Sequence, residues 1–301
     1  MVILSRGDIA NKVRSFGRHL SAENLAPRTV ELYTQHARNL GEYLEREGMP
    51  TDVEYITREH ITEHINDLLL TGSPSNAAMH YRSLQQFFKW CVGEDHITAS
   101  PMAKLRAPKT PEVIVPVVRA DGLKALLATC AGKDFEGRRD AAIISMFVDT
   151  PVRRGELISM EVGGVDLDRR EVAVVGKGNR QRLVPIGAKT AKALDRYEGL
   201  RDKHHSAHLQ CYWIGRRGAL TGNGVLQMVR RRCAQAGIPA IHPHQFRHTF
   251  AHVWRVEGGD DDSLMRIAGW RSRSMLNRYG ASAAEERARE VYRARSPLDR
   301  L

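Results

Sequence analysis

Between Arg153 and Tyr279 the sequence sets out an arginine, a lysine, a His-x-x-Arg pair, a tryptophan and a tyrosine: Arg153, Lys177, His244 with Arg247, Trp270 and Tyr279. Each has a bland reading by itself. Arg153 and Arg154, in Asp149-Thr150-Pro151-Val152-Arg153-Arg154-Gly155-Glu156-Leu157, read as the solvated start of a short helix. Lys177, in Gly176-Lys177-Gly178-Asn179, reads as an exposed lysine on a tight reversal. In His242-Pro243-His244-Gln245-Phe246-Arg247-His248-Thr249 the proline marks a helix start and places His244 and Arg247 in the first turn. Free N–H groups and the helix dipole attract anions there, and residues three apart share a face, so one phosphate can touch both side chains. A lone tyrosine such as Tyr279 usually packs. Together, however, the six have distinct uses on a single phosphodiester, and the ensemble outweighs its parts. His244, His248 and His252 also repeat at metal-ligand spacing, but an HExxH site would need glutamate where Gln245 stands, so no metal is expected.

The chain has 301 residues, enough for two domains with their own cores. Its composition, 42% hydrophobic and 27% charged, is that of a globular protein and excludes wholesale disorder and fibrous repeats. Net charge is +11, which favours a polyanionic partner. Residues 1–111 carry 13 basic and 13 acidic side chains, so the whole excess lies in 112–301, with 33 against 22. The C-terminal part would supply long-range attraction to nucleic acid, and the N-terminal part local basic faces. Cys91, Cys130, Cys211 and Cys233 are widely spaced without a CxxC pair, which suggests neither a disulfide framework nor a cysteine zinc site. No signal peptide or membrane-spanning run is read, so a cytoplasmic protein with no membrane partner is expected.

These residues need a scaffold. Ile9, Val13, Phe16 and Leu20 mark one helical face, a second helix follows Pro27 and stops at Gly48 and Pro50, a third runs over Thr57 to Leu70, and a fourth carries Tyr81, Leu84, Phe87, Phe88 and Cys91. Four prolines between Ser100 and Pro116, interspersed with Lys104, Arg106 and Lys109, read as an extended basic linker. Two more helices are placed at Leu123 to Cys130 and Ala141 to Phe147. The alternation Glu171 to Val175, the turn at 176–179 and Arg182 to Ile186 read as a β-hairpin, after which helices return at about 188–201, 224–236, 244–256 and 263–269. The expected fold is mainly α with a small β-sheet: a helical module over 1–108, a linker over 109–116 and an α+β domain over 117–301, with a tail helix at 283–295. Arg230-Arg231-Arg232 reads equally as a phosphate contact and a solvated face, and Asp260-Asp261-Asp262 as a helix cap.

The chain resembles the tyrosine recombinases of the phage integrase family over nearly its whole length. Arg153 sits where the family's Thr-Gly-x-Arg-x-x-Glu motif places its first arginine, Glu156 at that motif's acid, Lys177 at the hairpin lysine, and His244 with Arg247 at His-x-Leu-Arg. Trp270 stands where most members carry the histidine of Leu-Gly-His, and Tyr279, nine residues later, matches the nucleophile. Pro151 replaces the motif's glycine.

The resemblance implies a C-shaped clamp made of a core-site DNA-binding domain and a catalytic domain, working without a cofactor as a homotetramer on two duplexes carrying attachment or recombination sites. A DNA-bending host factor or an excision factor would be a further partner. Tyr279 would attack the phosphate, Arg153 and Arg247 would hold the transition-state charge, and Lys177 would protonate the departing 5′ oxygen. His244 would move the tyrosine's proton, Glu156 would orient the histidine, and Trp270 would support the transition state without acid–base chemistry. Arg28 and Arg82 on the Pro27 and Tyr81 helices, Lys104, Arg106 and Lys109 in the linker, and Arg230 are the candidate DNA contacts, and the tail would dock on a neighbouring protomer.

The Ala-Gly-Trp element and the Arg-Tyr-Gly ending resemble integrases of phages and mobile elements more than Xer recombinases. The chain also starts almost at the core-binding helices, so a simple integrase without an arm-site domain is expected, acting near the nucleoid, in the host cytoplasm if phage-encoded. The alternatives are an Xer-type recombinase that resolves chromosome or plasmid dimers, and a DNA-binding regulator that keeps the fold without the chemistry. A type IB topoisomerase is disfavoured by the Xer-like N-terminal helices.

Overall fold

The computed structural model describes residues 7–111, 116–176, 180–273, 275–276 and, nearer the C-terminus, 288, 292–293, 295–296 and 298. Lys177, Tyr279 and most of the expected tail helix lie outside the described residues. The chain divides into two compact units, 1–113 and 114–301, and is mainly helical with small sheets. No helix among the described residues is long and apolar enough to cross a membrane.

The first unit is built from α1 (Ile9–Ala22), α2 (Pro27–Arg46), α3 (Arg58–Thr71) and α4 (Pro74–Gly93). Pro27 and Pro74 occupy first-turn positions, where a missing N–H costs nothing, and Ser73 caps α4 by accepting from the Asn76 N–H. Val13, Phe16 and Leu20 of α1 meet Leu40 and Leu44 of α2 and Leu84, Phe87 and Phe88 of α4 in one core. Phe16 meets Phe87 edge to face at 5.5 Å. The Tyr81 hydroxyl donates to the Leu105 carbonyl at 2.7 Å and ties the following segment to α4.

Three histidines face inward in this unit, a feature that apolar periodicity does not reveal. His36, His64 and His80 are buried. The His36 and His80 rings stack at 3.8 Å, and His64 lies 5.8 Å from His80. Burial lowers all three pKa values, to about 4 for His64 and His80, so the rings are neutral at neutral pH.

The second unit contains α5 (Ala120–Ala128), α6 (Phe135–Asp149), α7 (Arg154–Ile158), β1 (Val165–Asp166), β2 (Glu171–Gly176), β3 (Arg180–Pro185) and α8 (Ala188–Arg201). The two-residue strands β4 (Ile214–Gly215) and β5 (Gly218–Ala219) follow, then α9 (Gly222–Gln235), α10 (Pro243–Val256) and α11 (Asp261–Ala268). Ile143, Ile144 and Phe147 of α6 are fully buried in its core together with Leu194 and Tyr197 of α8 and Phe246 of α10. Phe147 and Phe246 stack at 5.5 Å. β1, β2 and β3 form an antiparallel sheet in which Val172 pairs with Val184, Val174 with Arg182 and Gly176 with Arg180.

Two expectations are corrected. α6 begins at Phe135 and not near Ala141, because the charged stretch that hid its first turns is itself buried: Asp140 has no exposure and Arg139 only 4%. Arg232 is not part of a solvated face, and Arg231, half exposed, spends its guanidinium on the same buried carboxylate. Their guanidiniums close on Asp140 Oδ2 at 2.9 and 2.8 Å, while Arg139 takes Oδ1 at 2.7 Å, so one buried carboxylate consumes three arginines. Arg230 alone of that run remains exposed without such a bond. Asp260 caps α11 by accepting from the Ser263 N–H at 2.7 Å.

Candidate active site

Glu156 organises the site. It is the third residue of α7 and buried, and its Oε2 accepts the Arg153 backbone N–H at 2.8 Å while its Oε1 accepts from Arg153 Nη1 at 2.7 Å. Arg182 on β3 supplies two further donors, Nη1 to Oε1 at 3.0 Å and Nη2 to Oε2 at 2.9 Å. The four lone-pair positions of the carboxylate are thereby filled. Burial pushes the Glu156 carboxyl up, but the hydrogen bonds from Arg182 and Arg153 and the charge of Arg182 outweigh it and hold the pKa at about 2. What Glu156 orients in this geometry is therefore Arg153, backbone and side chain together; the expected role on the histidine is replaced by two guanidiniums.

α11 ends where the site needs an abrupt turn. Gly269 takes a left-handed conformation at φ 64°, and the Trp270 N–H returns to the Met265 carbonyl at 2.9 Å. Two guanidiniums reach the last carbonyls of the helix, where the dipole is negative: Arg182 Nε donates to Ile267 O at 3.1 Å and Arg247 Nη2 to Ala268 O at 2.8 Å. Arg247 Nη1 also donates to the carbonyl of Pro151. The proline that replaces the motif glycine thus still serves through its carbonyl oxygen, and the extended backbone entering α7 needs no positive φ there.

Arg153 and Trp270 line one cleft of about 770 Å³, with Arg180, Arg182, Arg266 and Arg271 as its further cationic lining. Trp270 is buried, and the Arg247 guanidinium lies 5.2 Å from its ring centre. Arg247 itself is only 1% exposed, beneath the cleft wall and not at its mouth. His244 is exposed on the first turn of α10, its ring edge-to-face with His248 at 5.0 Å. The first-turn reading of Arg247 is corrected: helix α10 starts at Pro243, so Arg247 falls in its second turn and points into the interior while His244 points out. His242 accepts the His244 backbone N–H on Nδ1, and Gln245 reaches back to the His242 N–H at 2.7 Å, so Gln245 is a capping residue. Burial, then Arg154 and Arg230, lower the pKa of His242, which matches a neutral ring accepting that bond.

The structure thus brings Arg153 and Trp270 to one cleft with Arg247 behind them. His244 sits at the head of α10, which also carries Arg247. Lys177 belongs to the connection 177–179 between β2 and β3, and Tyr279 to the segment after α11. Of the candidate DNA contacts, Arg28 is exposed and paired with Glu31 at 2.7 Å, Arg82 donates to the Ala78 carbonyl at 3.1 Å, and Lys104, Arg106, Lys109 and Arg230 are exposed. Arg182 was not singled out from the sequence. The signal was there: it lies two residues before Val184, on the inward face of an alternating strand, where a lone arginine must find a buried partner.

A fold of this topology around an arginine-lined cleft defines a class. The model of the phage integrase family matches residues 116–286, more than half of the chain, and the chain belongs to that family, the tyrosine recombinases, which are site-specific DNA strand transferases. Among curated proteins, a tyrosine recombinase XerC of Myxococcus xanthus is 27% identical over 293 residues, covering 95% of this chain and 97% of that protein. A tyrosine recombinase XerC of Ralstonia pickettii (strain 12J) is 28% identical over 267 residues and covers 81% of each. Among solved structures, the XerH site-specific recombinase bound to palindromic difH substrate, a post-cleavage complex, superposes with a TM-score of 0.74 at 16% identity over 98% of this chain and 91% of that one. A lambda integrase dimer bound to a COC′ core site gives 0.69 at 18% identity, over 89% and 76%. These two structures share the fold.

Proposed function

We propose that this chain cuts and rejoins duplex DNA at particular sites through a 3′-phosphotyrosine at Tyr279. The observation that carries the reading is the held Arg153 at an arginine-lined cleft: a guanidinium fixed by a saturated carboxylate is a preorganised receptor for a phosphate. The Tyr279 oxygen attacks phosphorus as its proton passes towards His244, and the bond to the 5′ oxygen breaks, with Lys177 giving that oxygen its proton. Charge gathering on the non-bridging oxygens is taken by Arg153 from the cleft wall and by Arg247 from behind Trp270. The phosphodiester energy is retained in the tyrosyl ester, so a 5′ hydroxyl from a second strand attacks it, returning its proton to Lys177, and releases Tyr279, reprotonated with help from His244. No ATP or metal enters the balance.

The first unit is proposed as the core-site binding domain, residues 1–108, with Arg28 and Arg82, and residues 109–116 as a linker to the catalytic domain over 117–301, with Lys104, Arg106, Lys109 and Arg230 as further backbone contacts. Solved relatives include a lambda integrase tetramer bound to a Holliday junction, which supports a homotetramer on two duplexes here. Integration or excision of a mobile element's DNA is the role favoured by the Ala-Gly-Trp element. The XerC relatives, one of them matched over 97% of its length, equally support dimer resolution.

Nicked suicide duplexes carrying candidate attachment sites and candidate dimer-resolution sites, with EDTA present, test the reading. A covalent adduct in the wild type, mapped to Tyr279 and lost in Tyr279→Phe, is expected, and the class of site that is cut separates the two roles. Salt-dependent binding with no adduct on any site would instead make the chain a DNA-binding regulator.

A further inference from the structure

We infer that Arg182 is a positioning residue of the strand-transfer reaction, joining the general-acid hairpin, Arg153 and the segment that leads to the nucleophile into one unit; this rests on the function proposed above. Arg182 stands on β3, the strand that follows the connection carrying Lys177. Its guanidinium is only 16% exposed and uses all three nitrogens: Nη1 and Nη2 on the two oxygens of Glu156, and Nε on the carbonyl of Ile267. Through Glu156 it reaches Arg153, and through Ile267 it reaches the end of α11, two residues before the Gly269 turn into Trp270. The turn is shaped around it, since a Cβ on Gly269 would sit 3.2 Å from Arg182 Cζ. A lysine cannot replace this planar fork, because one ammonium cannot bind both carboxylate oxygens and a carbonyl on a third side with the same geometry.

A residue that only stabilised the fold would lower the amount of folded enzyme and leave the reaction of the remainder unchanged. A positioning residue changes the reaction itself. With Arg182→Gln the burial of Glu156 is no longer offset from β3, its carboxyl pKa rises, and protonation releases Arg153 as the pH falls. The test compares wild type, Arg182→Gln and Arg182→Lys in single-turnover adduct formation on the suicide duplex at saturating DNA, across pH, alongside duplex affinity and hydrogen exchange of the 264–272 segment. The expected result for Arg182→Gln, read at saturating DNA so that any change in duplex affinity is separated from the reaction, is a rate lower by about 10- to 100-fold, the scale of losing an outer support in other built sites. Its activity should fall at higher pH than the wild type's on the acid side, and the end of α11 should exchange faster. Arg182→Lys should stay nearer to Arg182→Gln than to wild type. Wild-type rates in Arg182→Gln, or a rate loss with an unshifted pH profile and unchanged exchange, would overturn the inference. If the wild type itself forms no adduct, the proposed function fails, and exchange at 264–272 still reads the clamp: unchanged exchange in Arg182→Gln then sinks the inference as well.

Discussion

Glu156 holds Arg153 twice, by the backbone N–H at 2.8 Å and by the guanidinium at 2.7 Å, so the arginine's position and direction are set by one buried carboxylate. The depressed pKa of Glu156 has a definite sign in stability. The folded value of about 2 lies below the ordinary 4.5, so the contribution is fully present above the ordinary value and is lost as pH falls towards 2. Its size is on the order of 3 kcal/mol. Glu156→Gln should lower stability by an amount of that order at neutral pH, and the difference from wild type should shrink steadily in unfolding curves taken from pH 5 down to about pH 2. A constant difference across that range would remove the carboxylate from the explanation.

Arg153→Ala and Arg247→Ala should each nearly abolish adduct formation. Arginines acting on transition-state charge in other phosphoryl transfers are worth on the order of 10³ to 10⁵ in rate. Arg153→Ala should leave the fold intact, because its side chain is 40% exposed. Arg247→Ala should also lower the melting temperature, because its side chain ties the Pro151 and Ala268 carbonyls together inside the unit. Cleavage by either variant within about tenfold of wild type would refute the assignment.

The helices of the first unit were legible in the sequence because each buries one stripe of apolar side chains, as Val13, Phe16 and Leu20 do in α1, and proline punctuates their starts. The hairpin was legible from alternation. The first half of α6 was not, because Arg139 and Asp140 look like surface residues until Arg231 and Arg232 arrive from a helix some 90 positions later. β1, β4 and β5, at two residues each, are too short to carry a period. Within the site, types and order pointed to Arg153, Arg247 and Trp270, but the pairing of Glu156 with Arg182 depends on tertiary approach between β3 and α7, which spacing along the chain does not encode.

Gly269→Ala should damage the site without touching any reacting group. The backbone there is left-handed at φ 64°, a conformation costing a side-chain-bearing residue about 1 to 2 kcal/mol, and the new methyl would press on Arg182. A loss of about that size in thermal or denaturant unfolding is expected, together with slower adduct formation. A variant of wild-type stability and rate would show that the turn after α11 tolerates a side chain.

Asp140→Ala should be among the most destabilising single changes in the second unit. The carboxylate has no exposure and balances the buried Arg139 and Arg232 as well as Arg231. Removing one partner of a buried ion pair typically costs about 3 to 5 kcal/mol, because the remaining charge stays desolvated. Replacing Arg231, which is half exposed, should cost far less. Equal effects of Asp140→Ala and Arg231→Ala in urea unfolding would contradict the network as described.

The buried histidines make the first unit acid-sensitive in a window that differs from that of Glu156. His64 and His80 have folded pKa values of about 4 against 6.5 when exposed, because burial disfavours the charged ring. The groups around them do not reverse this: Asp67 pulls His64 up, Arg46 and His36 push it down, and the nearby Tyr43 ring lies 4.9 Å away and is neutral throughout. Above the unfolded value neither state binds a proton and there is no effect. As pH falls through 6.5 towards 4 the unfolded chain takes up protons that the folded unit refuses, and stability declines by an amount on the order of 3 kcal/mol per ring. The first unit should therefore lose stability between pH 6.5 and about pH 4, mostly above the Glu156 window, which runs from 4.5 down to about 2. His64→Leu should flatten that decline, since an apolar side chain of similar reach leaves no proton to be refused. Proton uptake on unfolding, measured by titration at pH 5, should fall by close to one in His64→Leu; an unchanged uptake would show that His64 is not the group being titrated.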